Sequence, residues 1–284
     1  MRVSPVIALD IGGTHSRAAL IDDGRIGWRA AVPTPGLAGP DAVIDALLQL
    51  LAPLRTPPAV PVGVAIAGLV VDDDRVTMHN GAVFRGWTGF PLARALRERL
   101  DRPVTVINDA RAAAWGEHRF GAGRGCREFL FVTVSTGVGA GLVLDGRLHR
   151  AGNGFDAELG ETLADGGRTT LEDIASGTAL TRRALALGFG SAAALCDAAE
   201  AGDVRADAAW REGTTALALK LADLAVLLGV RRCAIGGGLG LRSGTLARLQ
   251  QALDALPPMY RMQLVPAELG ADAGLQGAAD WALR

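Results

Sequence analysis

The sequence predicts an α/β protein of two domains. Its 284 residues make it roughly twice the length of a typical domain. Short apolar runs alternate with longer amphipathic ones, a pattern typical of helices that cover sheets. One hairpin pattern occurs twice, once in each half of the chain. Together these observations favour a duplicated fold with a cleft between the copies, where small ligands commonly bind.

The predicted elements follow from these periodicities and from turn residues. We place strands at residues 6–9, 16–22, 62–66, 104–107, 129–134, 141–144, 232–235 and 263–266, and helices at 41–51, 92–100, 110–119, 171–187, 191–199, 206–228, 244–256 and 272–283. The N-terminal domain is expected to span 1–108 and to be completed by a C-terminal helix over 271–284. The C-terminal domain is expected to span 109–270.

Composition excludes several classes of protein. A formal net charge of -1 argues against nucleic acid as a partner. Lys220 is the only lysine, which rules out a P-loop that depends on a lysine. Cys126, Cys196 and Cys233 are isolated, which argues against a disulfide framework and a thiolate zinc cluster. With no leader pattern and no apolar stretch of membrane length, we expect a cytoplasmic protein that does not enter a membrane.

The repeated hairpin contains tight turns rich in glycine and threonine. The first copy has Asp-Ile-Gly-Gly-Thr at residues 10–14 and Asp-Gly-Arg at 23–25. The second has Ser-Thr-Gly-Val-Gly at 135–139 and Asp-Gly-Arg at 145–147. Each copy predicts two buried strands joined by a tight turn.

These turns carry groups that suit phosphate oxygens. Gly12 and Gly13 let the backbone approach a ligand closely, and its N–H groups and the Thr14 hydroxyl can donate hydrogen bonds. The Asp10 carboxylate, at the strand end, is placed to hold a phosphate-bound Mg²⁺ through water. An ordinary structural hairpin would explain one such copy. The second copy, with Thr136 and Gly137, makes nucleotide binding the better interpretation.

A third glycine-rich segment follows the strand at 232–235. Gly236, Gly237 and Gly238 stand between this strand and a predicted helix, where the backbone can approach a purine or ribose. A flexible turn is the alternative. The spacing is not that of a dinucleotide-binding fingerprint.

Asn108 and Asp109 lie between a predicted strand and an alanine-rich helix. Asp109 at such a junction is commonly a helix N-cap. Alternatively, its carboxylate accepts the proton of a hydroxyl that attacks a γ-phosphate, while Asn108 orients that hydroxyl.

Several carboxylates follow the second hairpin. Glu158, Glu161 and Glu172 lie near a glycine-rich loop and a helix start. Carboxylates accept hydrogen bonds from sugar hydroxyls, so a polyol site fits this segment. A solvated acidic loop followed by a capped helix fits it equally well.

The ordered set of motifs resembles the ROK family (repressors, open reading frames and kinases), whose kinases belong to the actin and hexokinase superfamily. The segments that carry the resemblance are residues 10–14, Gly86-Trp87 with Pro91-Leu92, 108–114, 135–139, 158–160, 171–177 and 236–238. They cover nearly the whole chain in the family's order. The resemblance implies an actin/hexokinase-like fold, built on a duplicated ribonuclease H-like unit.

The resemblance also implies roles for individual residues. Asp109 would be the catalytic base. The expected sugar-binding set is Gly68, Asn108, Asp109, Glu158, Glu161 and Glu172, and the expected nucleotide-binding set is Asp10, Gly12, Gly13, Thr14, Thr136, Gly137, Gly237 and Gly238. The cofactors would be ATP and Mg²⁺, the metal being held near Asp10.

Within the family, the sequence most resembles bacterial N-acetylmannosamine kinases. This likeness is carried by residues 113–115 after the Asn-Asp pair, by the segment 133–139, and by the segment 162–165 leading to 174–177. It implies ATP-dependent phosphorylation of the 6-hydroxyl of a hexose, N-acetylmannosamine before glucose, by a homodimer. A glucokinase-like hexokinase and a non-catalytic sugar sensor are the alternatives. A DNA-binding repressor is disfavoured because no helix-turn-helix fits ahead of the first hairpin.

Four departures from the family pattern fall at or beside the predicted ligand-binding residues. Glu161 stands where the family carries a histidine that contacts the sugar and ligates a structural zinc. The cysteine-rich zinc loop is missing, since residues 162–171 contain no cysteine. Val83 stands where an asparagine is expected. His15 follows the first turn, where the family usually has a lysine or another polar residue. The missing ligands predict a protein without structural zinc.

We therefore expect the purified protein to contain no stoichiometric zinc and to keep its thermal midpoint in a chelator. A closed Cys/His site would contribute directly to folding, and its loss would lower that midpoint. Elemental analysis together with melting curves with and without EDTA checks this. One tightly held zinc per chain would contradict it.

Overall fold

The computed structural model describes residues 5–78 and 83–284. The chain divides into two units. Unit 1 comprises Met1–Phe120, Arg150–Asp156 and Ala271–Arg284, and unit 2 comprises Gly121–His149 and Ala157–Gly270.

In chain order the strands are β1 (Val6–Ile11), β2 (His15–Asp22), β3 (Arg25–Pro33), β4 (Val62–Ile66), β5 (Leu69–Val71), β6 (Arg75–Thr77), β7 (Phe90–Pro91), β8 (Val104–Asn108), β9 (Phe129–Val134), β10 (Val138–Leu144), β11 (Arg147–Leu148), β12 (Leu163–Ala164), β13 (Thr169–Thr170), β14 (Arg232–Gly236) and β15 (Gln263–Pro266). The helices are α1 (Pro40–Leu51), α2 (Leu92–Leu100), α3 (Asp109–Phe120), α4 (Leu171–Ala175), α5 (Gly177–Ala186), α6 (Ala192–Glu200), α7 (Val204–Leu228), α8 (Ser243–Asp254) and α9 (Ala273–Trp281).

The main sheets of the two units repeat one topology. In unit 1 the strand order is β3-β2-β1-β4-β8, and in unit 2 it is β11-β10-β9-β14-β15. In each, the first three strands in sequence form an antiparallel meander and the other two add in parallel. The Asp-Gly pairs seen in the sequence make the second turn of each meander, with positive φ at Asp23, Gly24, Asp145 and Gly146. This confirms the α/β class.

Both faces of the unit 1 sheet are covered. Ile7 and Leu9 of β1 pack into a core with α1 and α2. Val6 and Ala8, which point the other way, pack against α9. A strand buried on both faces needs apolar side chains at successive positions, which explains the continuous apolar run that begins β1. In unit 2, β9 and β14 share a core with α7 and α8.

α3 belongs with unit 1 because it packs on α9. A Cβ at Gly277 would overlap the Ala112 carbonyl, and one at Gly116 would overlap the Ala273 carbonyl. Such backbone approach allows only small residues along this seam. The contact divides the chain after Phe120, later than the boundary expected at residue 108.

Besides the short strands β5–β7 and β11–β13, which were not predicted, the structure differs from the sequence predictions in one helix and one long strand. The helix predicted over 171–187 is two helices, α4 and α5, because Ser176 is extended (φ -73°, ψ 162°) and caps α5 through the Ala179 N–H. Strand β3 was not predicted, although exposed and partly buried positions alternate along its nine residues.

The seam between α3 and α9 gives a stability prediction. We expect Gly277→Ala to lower the free energy of unfolding by about 1–3 kcal/mol, since the added methyl meets backbone that cannot rotate away. Gly274→Ala, on the same helix, is the matched control. Its Cβ would have no neighbour nearer than 3.9 Å, so it should be neutral or stabilise by up to about 1 kcal/mol. Urea denaturation measures both, and equal effects would contradict this packing.

Candidate active site

The first glycine turn of unit 1 joins β1 to β2. The Gly12 N–H donates to the His15 carbonyl at 3.2 Å. A Cβ at Gly13 would lie 2.9 Å from Val83 Cγ1, so the valine found in place of the expected asparagine contacts this turn. Gly13 and Thr14 are exposed. The turn thus offers its backbone and the threonine to solvent, as phosphate binding requires.

Asp10 is paired with Arg17, a residue that the sequence analysis did not single out. Arg17 stands directly opposite Asp10 across the β1–β2 ladder. Its guanidinium donates hydrogen bonds to Asp10 Oδ2, and the distance from Arg17 Nε to this oxygen is 3.1 Å. The Asp10 side chain is 13% exposed and that of Arg17 35%. Extending the predicted hairpin by its register would have identified this pair, because cross-strand partners follow from the turn length.

Asn108, and not Asp109, caps α3. The Asn108 Oδ1 accepts the Arg111 N–H at 3.1 Å, and its Nδ2 donates to the Gly68 carbonyl at 3.0 Å. Asn108 is buried. Gly68 has φ +94°, and a Cβ there would lie 2.7 Å from the Thr77 carbonyl. The interpretation of Asp109 as the cap is therefore wrong, since the preceding asparagine takes that role.

Asp109 is consequently the first residue of α3, and it is half-buried there. Its Oδ1 accepts the Ala110 N–H at 2.7 Å. Burial first, and then the negative charge of Asp10, raise the pKa of this carboxyl to about 6, against the smaller opposing effects of the backbone N–H bonds and Arg111. A carboxyl with a pKa near neutrality, placed beside another carboxylate, is typical of a general base.

The donor set at this edge suits Mg²⁺. Asp10 and Asp109 stand at the carboxyl ends of β1 and β8, which lie on either side of β4 in the sheet, and their charges interact. Carboxylate oxygens are the ligands that Mg²⁺ prefers. Arg17 occupies Asp10 Oδ2, which leaves the other oxygen for a metal or a metal-bound water. Within residues 5–78 and 83–284, no group of three or more His, Cys, Asp or Glu side chains could hold a metal ion on its own.

The second glycine turn lies in unit 2, between β9 and β10. Helix α5 supports it, since the Gly177 N–H donates to the Ser135 carbonyl at 2.7 Å and the Thr178 hydroxyl to the Thr136 carbonyl at 2.8 Å. Thr136 is exposed. An open groove beside the turn is lined by Ser135, Thr136, Gly177, Thr178, Thr181, Arg182, Leu185 and Ala192.

The third glycine segment wraps over the end of β9. The Leu239 and Gly240 N–H groups donate to the Val134 carbonyl at 3.1 and 2.9 Å. Gly237 has φ +83°, and a Cβ there would lie 2.7 Å from Thr133 Oγ1. Gly238 is exposed, with no atom within 4 Å of a would-be Cβ. Unit 2 therefore brings together the predicted nucleotide residues Thr136, Gly137, Gly237 and Gly238.

The three glutamates occupy different environments in unit 2. Glu172 Oε2 accepts the Val138 N–H at 2.8 Å, and a Cβ at Gly137 would overlap this carboxylate. Glu158 precedes a short 3₁₀ turn and is partly exposed, whereas Glu161 ends that turn and is exposed. Gly160 lies between them in the chain, and a Cβ at this position would be 3.4 Å from Glu172 Oε2. Glu172 thus meets both the glutamate segment and the second glycine turn.

The position of Asp109 makes stability depend on pH. The pKa of Asp109 is about 6 in the folded protein, against an ordinary value of 3.8. Between pH 3.8 and about pH 6, the folded state therefore binds more protons than the unfolded state. The free energy of unfolding therefore falls as pH rises through this window. We expect Asp109→Asn to be more stable than the wild type by about 1–3 kcal/mol at pH 7.5, with the difference vanishing near pH 4. Urea titrations at both pH values measure it, and a difference independent of pH would contradict it.

Within the part of the chain that the structure covers, no helix is long and apolar enough to cross a membrane.

Comparison with known proteins assigns the chain to one family. The ROK family profile matches residues 6–284. The chain is 37% identical to the N-acetylmannosamine kinase of Citrobacter koseri over 96% of this chain and 97% of that protein. It is 39% identical to the bifunctional enzyme NanE/NanK of Brucella melitensis over 98% of this chain, which spans about half (54%) of that longer relative.

A solved structure of a ROK family member matches the fold of this chain. The ROK family glucokinase from Streptomyces griseus, in complex with glucose and AMPPNP, matches with a TM-score of 0.81 and 33% identity, over 98% of this chain and 99% of that one. This confirms the actin/hexokinase-like fold class predicted from the sequence. The resemblance drawn from its motifs is likewise confirmed: the chain belongs to the ROK family.

Proposed function

We propose that this protein is an ATP-dependent sugar kinase that phosphorylates the 6-hydroxyl of N-acetylmannosamine. The observation that carries the proposal is Asp109, an acid of raised pKa at a helix start, whose carboxyl interacts with the charge of Asp10, the residue just before the glycine turn of unit 1. The named activity of the Citrobacter koseri relative, which matches over nearly its full length, supports the choice of sugar.

Asp109 acts as the general base. Phosphoryl transfer asks for positioning and charge stabilisation more than for covalent chemistry. The ionised carboxylate accepts the proton of the sugar hydroxyl as its oxygen attacks the γ-phosphorus, and the bond to the β,γ-bridging oxygen breaks to release ADP. The Asn108 amide has one N–H left after its bond to Gly68, which suits an orienting contact to the sugar.

The nucleotide is held by backbone and by arginine. The exposed turn at Gly13 and Thr14 and the open position at Gly238 suit phosphate and nucleoside contacts. Arg17 supplies a cation at the first turn, where it fixes the Asp10 carboxylate and is positioned to bind a phosphate oxygen. Mg²⁺ held near Asp10, when bound, neutralises charge on the phosphates.

Glu158, Glu161 and Glu172 complete the proposed sugar set. Glu172 already accepts a backbone N–H, so it would offer its second oxygen to a hydroxyl. Glu161 is exposed and, as an ionised carboxylate, would only accept hydrogen bonds. Glucose is the second acceptor candidate because of the identity to the Streptomyces griseus glucokinase.

A coupled ADP-release assay across N-acetylmannosamine, N-acetylglucosamine, glucose and fructose tests the proposal. We expect the highest kcat/KM for N-acetylmannosamine. Preference for glucose would favour the glucokinase alternative. Sugar binding by calorimetry without ADP release would favour a non-catalytic sensor.

The role of Asp109 gives a sharper prediction. We expect Asp109→Asn to lower kcat by about 10²–10⁴ at saturating sugar while leaving ATP affinity nearly unchanged, since a positioned base is worth about that factor. In the wild type, kcat/KM should fall as pH drops below about 6, the pKa of this group. Asp41→Asn, which changes an exposed aspartate in the first turn of another helix, is the control. A variant that keeps a tenth or more of kcat would refute the base assignment.

A further inference from the structure

Unit 1 contains a short strap, Arg150–Asp156, that the proposed function does not use. Its Asp156 is buried and pairs with Arg111, which is also buried. The other Asp156 oxygen accepts the Ala151 N–H, so one side chain closes the strap on itself and joins it to α3.

The strap is bound at two further points. Arg150 pairs with Asp73, in the turn between β5 and β6. Gly154, at φ +80°, packs on β5, where a Cβ would lie 3.2 Å from both Leu69 Cδ1 and Val71 Cγ2. The strap therefore spans the distance from β5 to the first turn of α3.

These contacts close a ring around the proposed acceptor residues. Asn108 bonds to the Gly68 carbonyl and to the Arg111 N–H. Gly68 leads directly into β5, on which the strap rests, and the strap returns to the Arg111 side chain through Asp156. Asp109 is part of this ring, because it lies in the chain between Asn108 and Arg111.

A buried ion pair contributes little to stability compared with well-packed apolar residues of similar volume. Its directional hydrogen bonds, however, fix geometry, and the planar guanidinium makes that geometry specific. An arginine and an aspartate held out of water at this position are therefore better explained by positioning than by stability.

We propose that Arg111 and Asp156 are positioning residues for the acceptor sugar: through the strap and the first turn of α3 they hold Gly68, Asn108 and Asp109 in the arrangement that binds the sugar and accepts its proton. This inference rests on the proposed kinase function. The glycine turn at residues 12–14 in unit 1 and the glycine segments in unit 2, which we assign to the nucleotide, make none of these contacts, so the pair affects sugar binding selectively.

The test is a double variant, Arg111→Gln/Asp156→Asn, which removes both charges and keeps hydrogen-bonding groups. It avoids the uncompensated buried charge that either single charge removal would leave. The control is Arg99→Gln/Asp45→Asn, which changes an exposed ion pair of the same residue types between α2 and α1.

We expect the double variant to raise KM for the sugar about tenfold, with KM for ATP within about twofold of wild type, because small displacements of positioning groups have large effects. Hydrogen exchange should accelerate at the strap amides, including Ala151, and the control should change none of these quantities. Unchanged sugar KM, or equal rises in both KM values, would overturn the proposal. So would unchanged exchange at the strap.

Failure of the kinase function would look different. If the wild type releases ADP with none of the sugars, the proposed function fails, and the positioning role falls with it. If the wild type is active and the double variant matches it, only the positioning role is refuted.

Discussion

The side-chain amide of Asn108 makes two hydrogen bonds on which the candidate site of unit 1 depends. One starts α3 by satisfying the Arg111 N–H, and the other fixes the Gly68 carbonyl at the end of β4. Since helices leave their first N–H groups without partners, a cap must stand here. Because Asn108 supplies it, the adjacent Asp109 carboxylate is spared that task, and the helix start holds it beside Asp10.

The duplicated topology explains why ligand-binding groups occur where they do. In both sheets the glycine turns follow the carboxyl end of the strand that carries both antiparallel and parallel neighbours, β1 in unit 1 and β9 in unit 2. Loops at the carboxyl ends of parallel strands are the common place for ligands in α/β sheets. The two copies differ in the contacts that hold their glycine turns. The first turn has a charged pair across its ladder, whereas the second is bonded by α5 and Glu172.

Much of the fold could be predicted from the sequence because its signals are local. Patterns only a few residues long predict the apolar strand β1, the Asp-Gly turns and the amphipathic helices α1 and α2. The ROK motifs then added the family and the fold class, both confirmed. The nucleotide-binding role of the glycine segments in unit 2 stays a prediction.

What the sequence analysis missed depends on contacts between distant residues. Ser176 is a favoured N-cap residue within 171–187, but this single local signal does not distinguish a break from a continuous helix. The contact of the Gly177 N–H with the distant Ser135 carbonyl accompanies the break. The choice between Asn108 and Asp109 as the cap depends on where β8 ends. The Arg111–Asp156 pair joins residues 45 positions apart, so no local pattern predicts it.

The environment of Asp109 illustrates how a site can oppose stability. Burial and the charge of Asp10 both resist ionisation of this carboxyl, while the Ala110 N–H and the Arg111 charge favour it. A merely structural residue at a helix start would gain from full ionisation near the helix dipole. The fold instead holds an acid whose pKa lies near the pH of the cell, where the ionised form is abundant yet still basic enough to take a proton. That arrangement is costly to the folded state and useful to a base, and the surrounding hydrogen bonds of Asn108 keep it in place.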